Sequence, residues 1–332
     1  MKRTLWLVVV VLLLVAVIWS FSSPALAQDP PRKLGVNGFD IDQGEQGMPR
    51  GSEVYHLADG TTEVYGPGHI LNTSIADSEA SVVSTPHGRA KASQVFNLPS
   101  GAEINVRGRE TDIFAEDGAL ILKVVEAGTF QAPAYTGWLE QAANWSSNSL
   151  DYYSASWNVP SRPGSPSSST VDFLFPAIEP TSASSIMQPV LEWNQAGSQS
   201  WTLRSWYGPV NGNYYASSPV NAKVRDSISG VMSYSRGTWT ILSQDTSSRR
   251  STSLRTNAVG TSGLAVFCAL EAVNVSASGD LPGNTTFRNL TFKKSGRNVP
   301  VTWTPYIDSS SGLSGLGVQI SGGQVILQTG NP

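Results

Sequence analysis

Two side chains in this sequence have the type and setting to do chemistry, Gln188 and Glu271. They lie in a region without histidine. All three histidines (His56, His69, His87) precede residue 132, and from Ala132 to Pro332 there is one cysteine, Cys268. A Ser-His-Asp or Cys-His site inside that region is excluded, because no imidazole is there to take the proton. A histidine-ligated metal is excluded for the same reason. Carboxylates and amides must carry any catalysis there, and these residues call for no cofactor and no metal.

The region holds ten carboxylates: Glu140, Asp151, Asp172, Glu179, Glu192, Asp226, Asp245, Glu271, Asp280 and Asp308. Most stand beside turn residues, which predicts solvated or capping roles. Glu271 and Glu192 do not. Glu271 falls in an apolar run from Leu264 to Val275, where strand alternation places it with Phe267, Ala269 and Val273. Desolvation there raises a carboxyl pKa unless donors surround it. Its plainer reading is a buried structural carboxylate held by backbone donors. In Ile186–Trp193 the same alternation sets Gln188, Val190 and Glu192 on one face and Met187, Leu191 and Trp193 on the other. The plainer reading of Gln188 is a glutamine on a solvent face. Trp157, Trp201 and Trp206 read first as core. Asn194, Asn213, Tyr214 and Tyr215 fit a sugar groove or ordinary loops. Pro189, after Gln188, predicts an edge strand or a bulge.

The elements that must position these groups are strands. Runs with turn signals between them recur at Asp151–Val159, Val171–Ile178, Ile186–Trp193, Trp201–Tyr207, Lys223–Ser233, Thr238–Leu242, Leu264–Val275 and Phe287–Phe292. No long 3.6-residue period appears. This spacing predicts an all-β, two-sheet antiparallel sandwich or jelly roll. Upstream, Ser52–His56 and Thr61–Tyr65 flank an Ala-Asp-Gly turn and predict a hairpin, and Ile121–Val125 predicts another strand.

Residues 1–28 read as an export signal, with Lys2 and Arg3, an apolar run from Leu5 to Phe21, and Ala25-Leu26-Ala27 as a cleavage site. A retained N-terminal anchor is the alternative. Either predicts a secreted, extracytoplasmic protein. No later segment is apolar enough to span a bilayer. Residues 29–50, rich in Pro, Gly and Gln, read as a linker, 51–131 as a β-rich segment that is a small domain or a prosegment, and 132–332 as the sandwich. All eight tryptophans outside the signal lie from Trp138 to Trp303. The net charge is −3, only 14% of residues are charged, and no basic stripe exists. Nucleic acid is therefore not an expected partner.

Several pieces in order carry a resemblance. Tyr135-Thr-Gly-Trp138 opens the region. Tyr153-Ser-Ala-Ser-Trp-Asn-Val-Pro-Ser161 and Phe173-Leu-Phe-Pro-Ala-Ile-Glu179 follow. Then come Ile186-Met-Gln188, Trp201-Thr-Leu-Arg-Ser-Trp-Tyr-Gly-Pro209, Val224-Arg-Asp-Ser-Ile-Ser-Gly-Val231 and Phe267-Cys-Ala-Leu-Glu271. Together they resemble the glutamic peptidases, or eqolisins, over most of 135–275. The resemblance implies a concanavalin A-like sandwich whose concave sheet holds Gln188 and Glu271 as the catalytic pair, with Glu179, Glu192, Trp206 and Tyr207 binding a polypeptide substrate. It implies peptide hydrolysis in acid, without a covalent intermediate, by an enzyme made with a prosegment acting as an intramolecular partner. This chain departs from the family pattern at Pro189, at Gly208 after Tyr207, and at Phe267, where the family carries an acidic residue.

Other readings are a lectin-like carbohydrate-binding sandwich, a glycoside hydrolase using Glu192 and Glu271 (whose carboxyl separation would decide it), and an inactive relative. The peptidase reading requires the tips of Gln188 and Glu271 to meet within hydrogen-bond or one-water reach in an open groove.

Overall fold

The computed structural model of the protein describes residues 34, 37–42, 47–128 and 137–331. The expected signal, Tyr135 and Thr136 lie outside these residues. Secondary structure in them is almost entirely strand, with four short 3-10 turns. Residues Arg32–Pro332 form one compact unit.

Two large sheets make the layers. The first runs, edge to edge, through Phe39–Asp40, Val95–Leu98, Asn213–Ser217, Trp201–Val210, Ile186–Trp193, Val171–Pro180, Leu264–Val273, Trp138–Asn148 and Thr304–Ile307. The second contains Thr285–Lys294, Tyr152–Asn158, Ser227–Ser235, Thr238–Asp245 and Arg250–Thr256, and continues into Ala102–Arg107 and the N-terminal strands beyond it. Pairing within 137–331 is antiparallel. The N-terminal segment joins each sheet by a parallel edge: Val95–Leu98 along Asn213–Ser217, and Ala102–Arg107 along Arg250–Thr256. Part of the stretch read as a linker enters the core as well, since Phe39, Ile41 and Met48 are buried.

Alternation decides what each face of the first sheet buries. Leu174, Ile178, Met187, Leu191, Leu203, Tyr207, Cys268 and Leu270 turn towards the second sheet and meet Tyr153, Trp157, Met232, Trp239 and Ile241 in the main core. The alternate residues, Phe173, Phe175, Ala177, Val190, Trp206, Tyr214, Phe267 and Ala269, form a separate apolar cluster on the opposite face, and this cluster includes Val83, Ala90 and Ala92 of the N-terminal segment.

Pro189 is not at an edge or a bulge. Its strand has neighbours on both sides. The ladder with Val171–Pro180 is recorded at Leu174↔Leu191 and Ile178↔Met187 but not between them. Keeping that register across the gap sets Pro176 against Pro189. Each proline lacks the N–H that the other strand would have received, so a matched pair leaves no donor stranded. Gly230 of the second sheet lies over both rings: a Cβ there would stand 2.8 Å from Pro189 Cβ and 3.1 Å from Pro176 Cγ. The gap abuts Gln188. Gly230→Ala is expected to lower stability by about 1–3 kcal/mol through overpacking against rings that cannot turn away. Urea unfolding checks this, and an unchanged midpoint would show that the proline pair is not tightly covered.

Candidate active site

Glu271 lies on the Leu264–Val273 strand and is level with Phe173 of the next strand, which is level in turn with Glu192. The three form a row on one face. Gln188 is on the same face of the Ile186–Trp193 strand, four residues from Glu192 and opposite Trp206. The period-two expectation for both strands therefore holds, and the residues named from it share one side of the sheet.

The side chains of Gln188 and Glu271 end on one turn. Gln188 Nε2 donates to the carbonyl of Pro86 at 2.7 Å, and Glu271 Oε1 accepts from the N–H of Gly88 at 2.8 Å. Two peptide units separate those residues, so their Cα atoms are within roughly 7.6 Å of each other. The turn, Pro86-His87, joins the strands Val82–Thr85 and Gly88–Lys91. These form a two-stranded sheet of their own. The chain 82–88 carries a turn signature, a β-branched run followed by Pro-x-Gly. The expected open groove is thus filled in the full chain. Gln188 is 1% and Glu271 0% exposed, and what covers them is the N-terminal hairpin.

A second amide joins Gln188. Gln195 Nε2 donates to the carbonyl of Ser84 at 3.1 Å. It sits in a short turn between Asn194 and Ala196, both left-handed at φ 58° and 65°. Asn194 pins that turn by donating to Ser168 O and Thr170 O at 3.0 and 2.8 Å and accepting from Gln199 N at 2.8 Å. On the other side Arg89 of the hairpin donates to Asn274 Oδ1, and Asn274 Nδ2 donates to Ser169 O. Sequence reading did not find Gln195. A glutamine in a turn carries no periodicity, and nothing in the chain locates the carbonyl it meets.

The remaining residues named from sequence divide. Glu192 is fully buried, accepts from Trp206 Nε1 and Thr202 Oγ1 (3.1 Å), and lies 3.5 Å from Arg204 Nε. Burial raises its pKa, against the Arg204 charge and the two donors. Its partners all lie on the neighbouring strand, away from Glu271. Two strand spacings, roughly 9–10 Å between Cα atoms, and Phe173 separate the two glutamates. Glu179 shares the cleft face with Phe175 and Ala177, and burial raises its pKa to about 7. Trp206 belongs to the cleft-face cluster. Tyr207 lies on the other face, in the core between the sheets. Tyr214 is on the cleft side. Its pKa is raised by burial and then by the charge of Glu271. Gly137 approaches the carboxyl so closely that a Cβ there would stand 3.0 Å from Glu271 Oε1.

The carboxylates expected at solvated or capping positions are for the most part buried: Glu140, Asp172, Glu179, Asp245 and Asp280 join Glu192 and Glu271. Asp280 does cap, accepting from the backbone N–H groups of Ser167, Ser276 and Ala277. Asp245 accepts from those of Ser247 and Ser248. Burial places Glu140 at about 8 and Asp172 well above the ordinary range. Among the described residues no group of three or more His, Cys, Asp or Glu side chains is placed to hold a metal ion.

No family model matches this chain, and no curated protein does. Solved structures do. Two crystal structures of scytalido-glutamic peptidase, one with a transition-state analogue inhibitor and one with a peptide-based transition-state analogue, align over 58% of this chain and 97% of theirs. Their identities are 18% and 19%, with TM-scores of 0.44 and 0.42. The Bacillus licheniformis β-glucanase aligns over 56% of this chain and 70% of its own, at 13% identity and TM-score 0.28. At these identities the likeness is one of fold: strands alone, layered into a sandwich.

Proposed function

We propose that this chain is a secreted endopeptidase that hydrolyses peptide bonds in acid through Gln188 and Glu271, and that its N-terminal segment is a prosegment that keeps it latent. One observation supports this reading above the others. On one face, an amide donates to a peptide carbonyl and a carboxylate accepts a peptide N–H, and both belong to one short stretch of backbone. Those are the two backbone atoms a peptidase must address.

In the proposed reaction a water takes the place that the turn now fills. Glu271, ionised, removes a proton from the water as its oxygen bonds to the scissile carbonyl carbon. Gln188 Nε2 donates to the carbonyl oxygen as it becomes an oxyanion. The proton held on Glu271 then passes to the amide nitrogen, the oxyanion collapses as the C–N bond breaks, and the Glu271 carboxylate is regenerated with no covalent intermediate. The apolar ring of Phe173, Phe175, Trp206 and Phe267 keeps bulk water away, which strengthens both interactions. Glu192 is held by Trp206, Thr202 and Arg204 and takes no part in the step.

The buried acids suit an acid-working protein. Glu140, Glu179 and Asp172 have folded-state pKa values above their unfolded ones. The stability they contribute is present below the ordinary carboxyl range and is lost as pH rises through the folded values, about 7 for Glu179 and about 8 for Glu140. Two largely desolvated histidines of the N-terminal segment have the opposite sign. Burial lowers His56 and His87 to about 4, so their contribution is present above 6.5 and is lost as pH falls towards 4. Around His56 stand Thr62, Glu126, Asp77 and Asn213. Glu126, raised to about 7 by burial and bonded by Asn213, partly offsets that loss in acid.

Glu140→Gln keeps an oxygen for Gly317 N (2.5 Å) and removes the ionisation. It is expected to raise the melting temperature by a few degrees at pH 8 and to leave it unchanged at pH 4, read by calorimetry.

The function itself is testable in a chain with its cleft open. Ala92 N donates to Ser81 O at 2.7 Å, so the ends of the hairpin adjoin. Residues 82–91 can be replaced by a short Gly-Ser bridge. The bridged chain is expected to cleave denatured casein between pH 2 and 7. Glu271→Gln in it is expected to lower turnover by about 10²–10⁴-fold with its melting temperature within a few degrees of the parent. A folded, bridged chain that cleaves nothing, or cleaves equally well with Gln at 271, overturns the reading.

A further inference from the structure

The hairpin does more than cover the cleft: its strand Val82–Thr85 and the following Pro86 lie with two alternate carbonyls, Ser84 and Pro86, on two buried amides, Gln195 and Gln188. Spacing by two residues is what an extended peptide presents to one side. The next alternate residue, Gly88, gives its N–H to Glu271. The hairpin makes no ladder with the large sheets, so these side-chain bonds, the Arg89–Asn274 bond and the burial of Val83, Ala90 and Ala92 against the cleft-face cluster hold it there.

We propose that residues 82–86 trace the path of a polypeptide substrate, and that Gln195 is a substrate-binding residue that holds the backbone carbonyl two residues N-terminal to the scissile carbonyl. This rests on the peptidase reading of Gln188 and Glu271. With the Pro86 carbonyl in the place of the scissile carbonyl, Ser84 marks the residue two positions towards the N-terminus. The substrate class is an extended polypeptide read through its backbone, with small aliphatic side chains, as at Val83, facing the aromatic floor. The same geometry sets the hairpin itself against being cut. At Pro86 the chain leaves the extended path: the N–H of His87 turns back to Thr85 Oγ1 at 3.3 Å, and Gly88, at φ 93°, brings its own N–H onto Glu271. The carboxylate that would activate water holds a backbone amide.

Gln195→Ala tests this in two settings. In the intact chain, hydrogen exchange of the amides of residues 82–91 is expected to quicken while those of the strand Thr238–Asp245 keep their protection. In the bridged chain, kcat/KM for peptides with three or more residues before the cut bond is expected to fall about three- to tenfold, the size of one net hydrogen bond, and chiefly through KM. Peptides too short to reach position 195 are expected to be cleaved equally by both forms, a split that a merely structural role for Gln195 would not give. Equal losses on long and short peptides, or unchanged exchange in 82–91, overturn the proposal while the peptidase reading stands. A folded, bridged parent that cleaves nothing ends both.

Discussion

The structure depends on a rule about dry polar groups: a donor or acceptor removed from water must find a partner. The cleft face of the first sheet is lined by Phe173, Phe175, Trp206 and Phe267. An amide and a carboxyl on such a floor are costly unless satisfied, and so are the carbonyl and N–H of a turn pressed onto it. Each solves the other's problem. Gln188 satisfies Pro86, Glu271 satisfies Gly88, and Gln195 satisfies Ser84. These polar side chains are satisfied by backbone, and the N-terminal segment provides it.

This accounts for how the segment is attached. It is stitched to both sheets by parallel edges, Val95–Leu98 on one and Ala102–Arg107 on the other, and these strands follow the hairpin directly in the chain. The hairpin that precedes them lies against the cleft-face cluster as a two-stranded sheet of its own. Covered edges also remove unpaired strand surfaces that would otherwise invite association. The same segment carries His56 and His87, whose pKa values desolvation lowers, whereas burial raises those of Glu140, Glu179 and Asp172 in the sandwich.

The prolines show how local chemistry shapes the site. Pro176 and Pro189 both lack an N–H, so where they face one another neither strand offers the other a donor. The ladder is interrupted one residue from Gln188, and Gly230 of the other sheet makes room for both rings. The break in regular pairing thus falls beside Gln188.

Much of the fold was legible in the sequence because burial has a period. Alternation in Ile186–Trp193 and in the run from Leu264 to Val275 assigns the residues named from it to their correct faces, Gln188 and Glu271 included, and turn residues mark most strand ends. Arg250–Thr256 escaped because only alternate positions of a polar run are buried, and most of the buried acids escaped because burial of a carboxyl is settled by distant neighbours. The resemblance sets Tyr207 beside Trp206 in one binding role, although one step along a strand changes the face. What the sequence determined by itself was class, faces and the chemistry left open by the missing histidines. Only the tertiary structure decided that residues 102 and 183 positions away in the chain would end on Gln188 and Glu271. That pairing is fixed by which strand docks beside which, a matter of long-range packing that no local pattern of residues records.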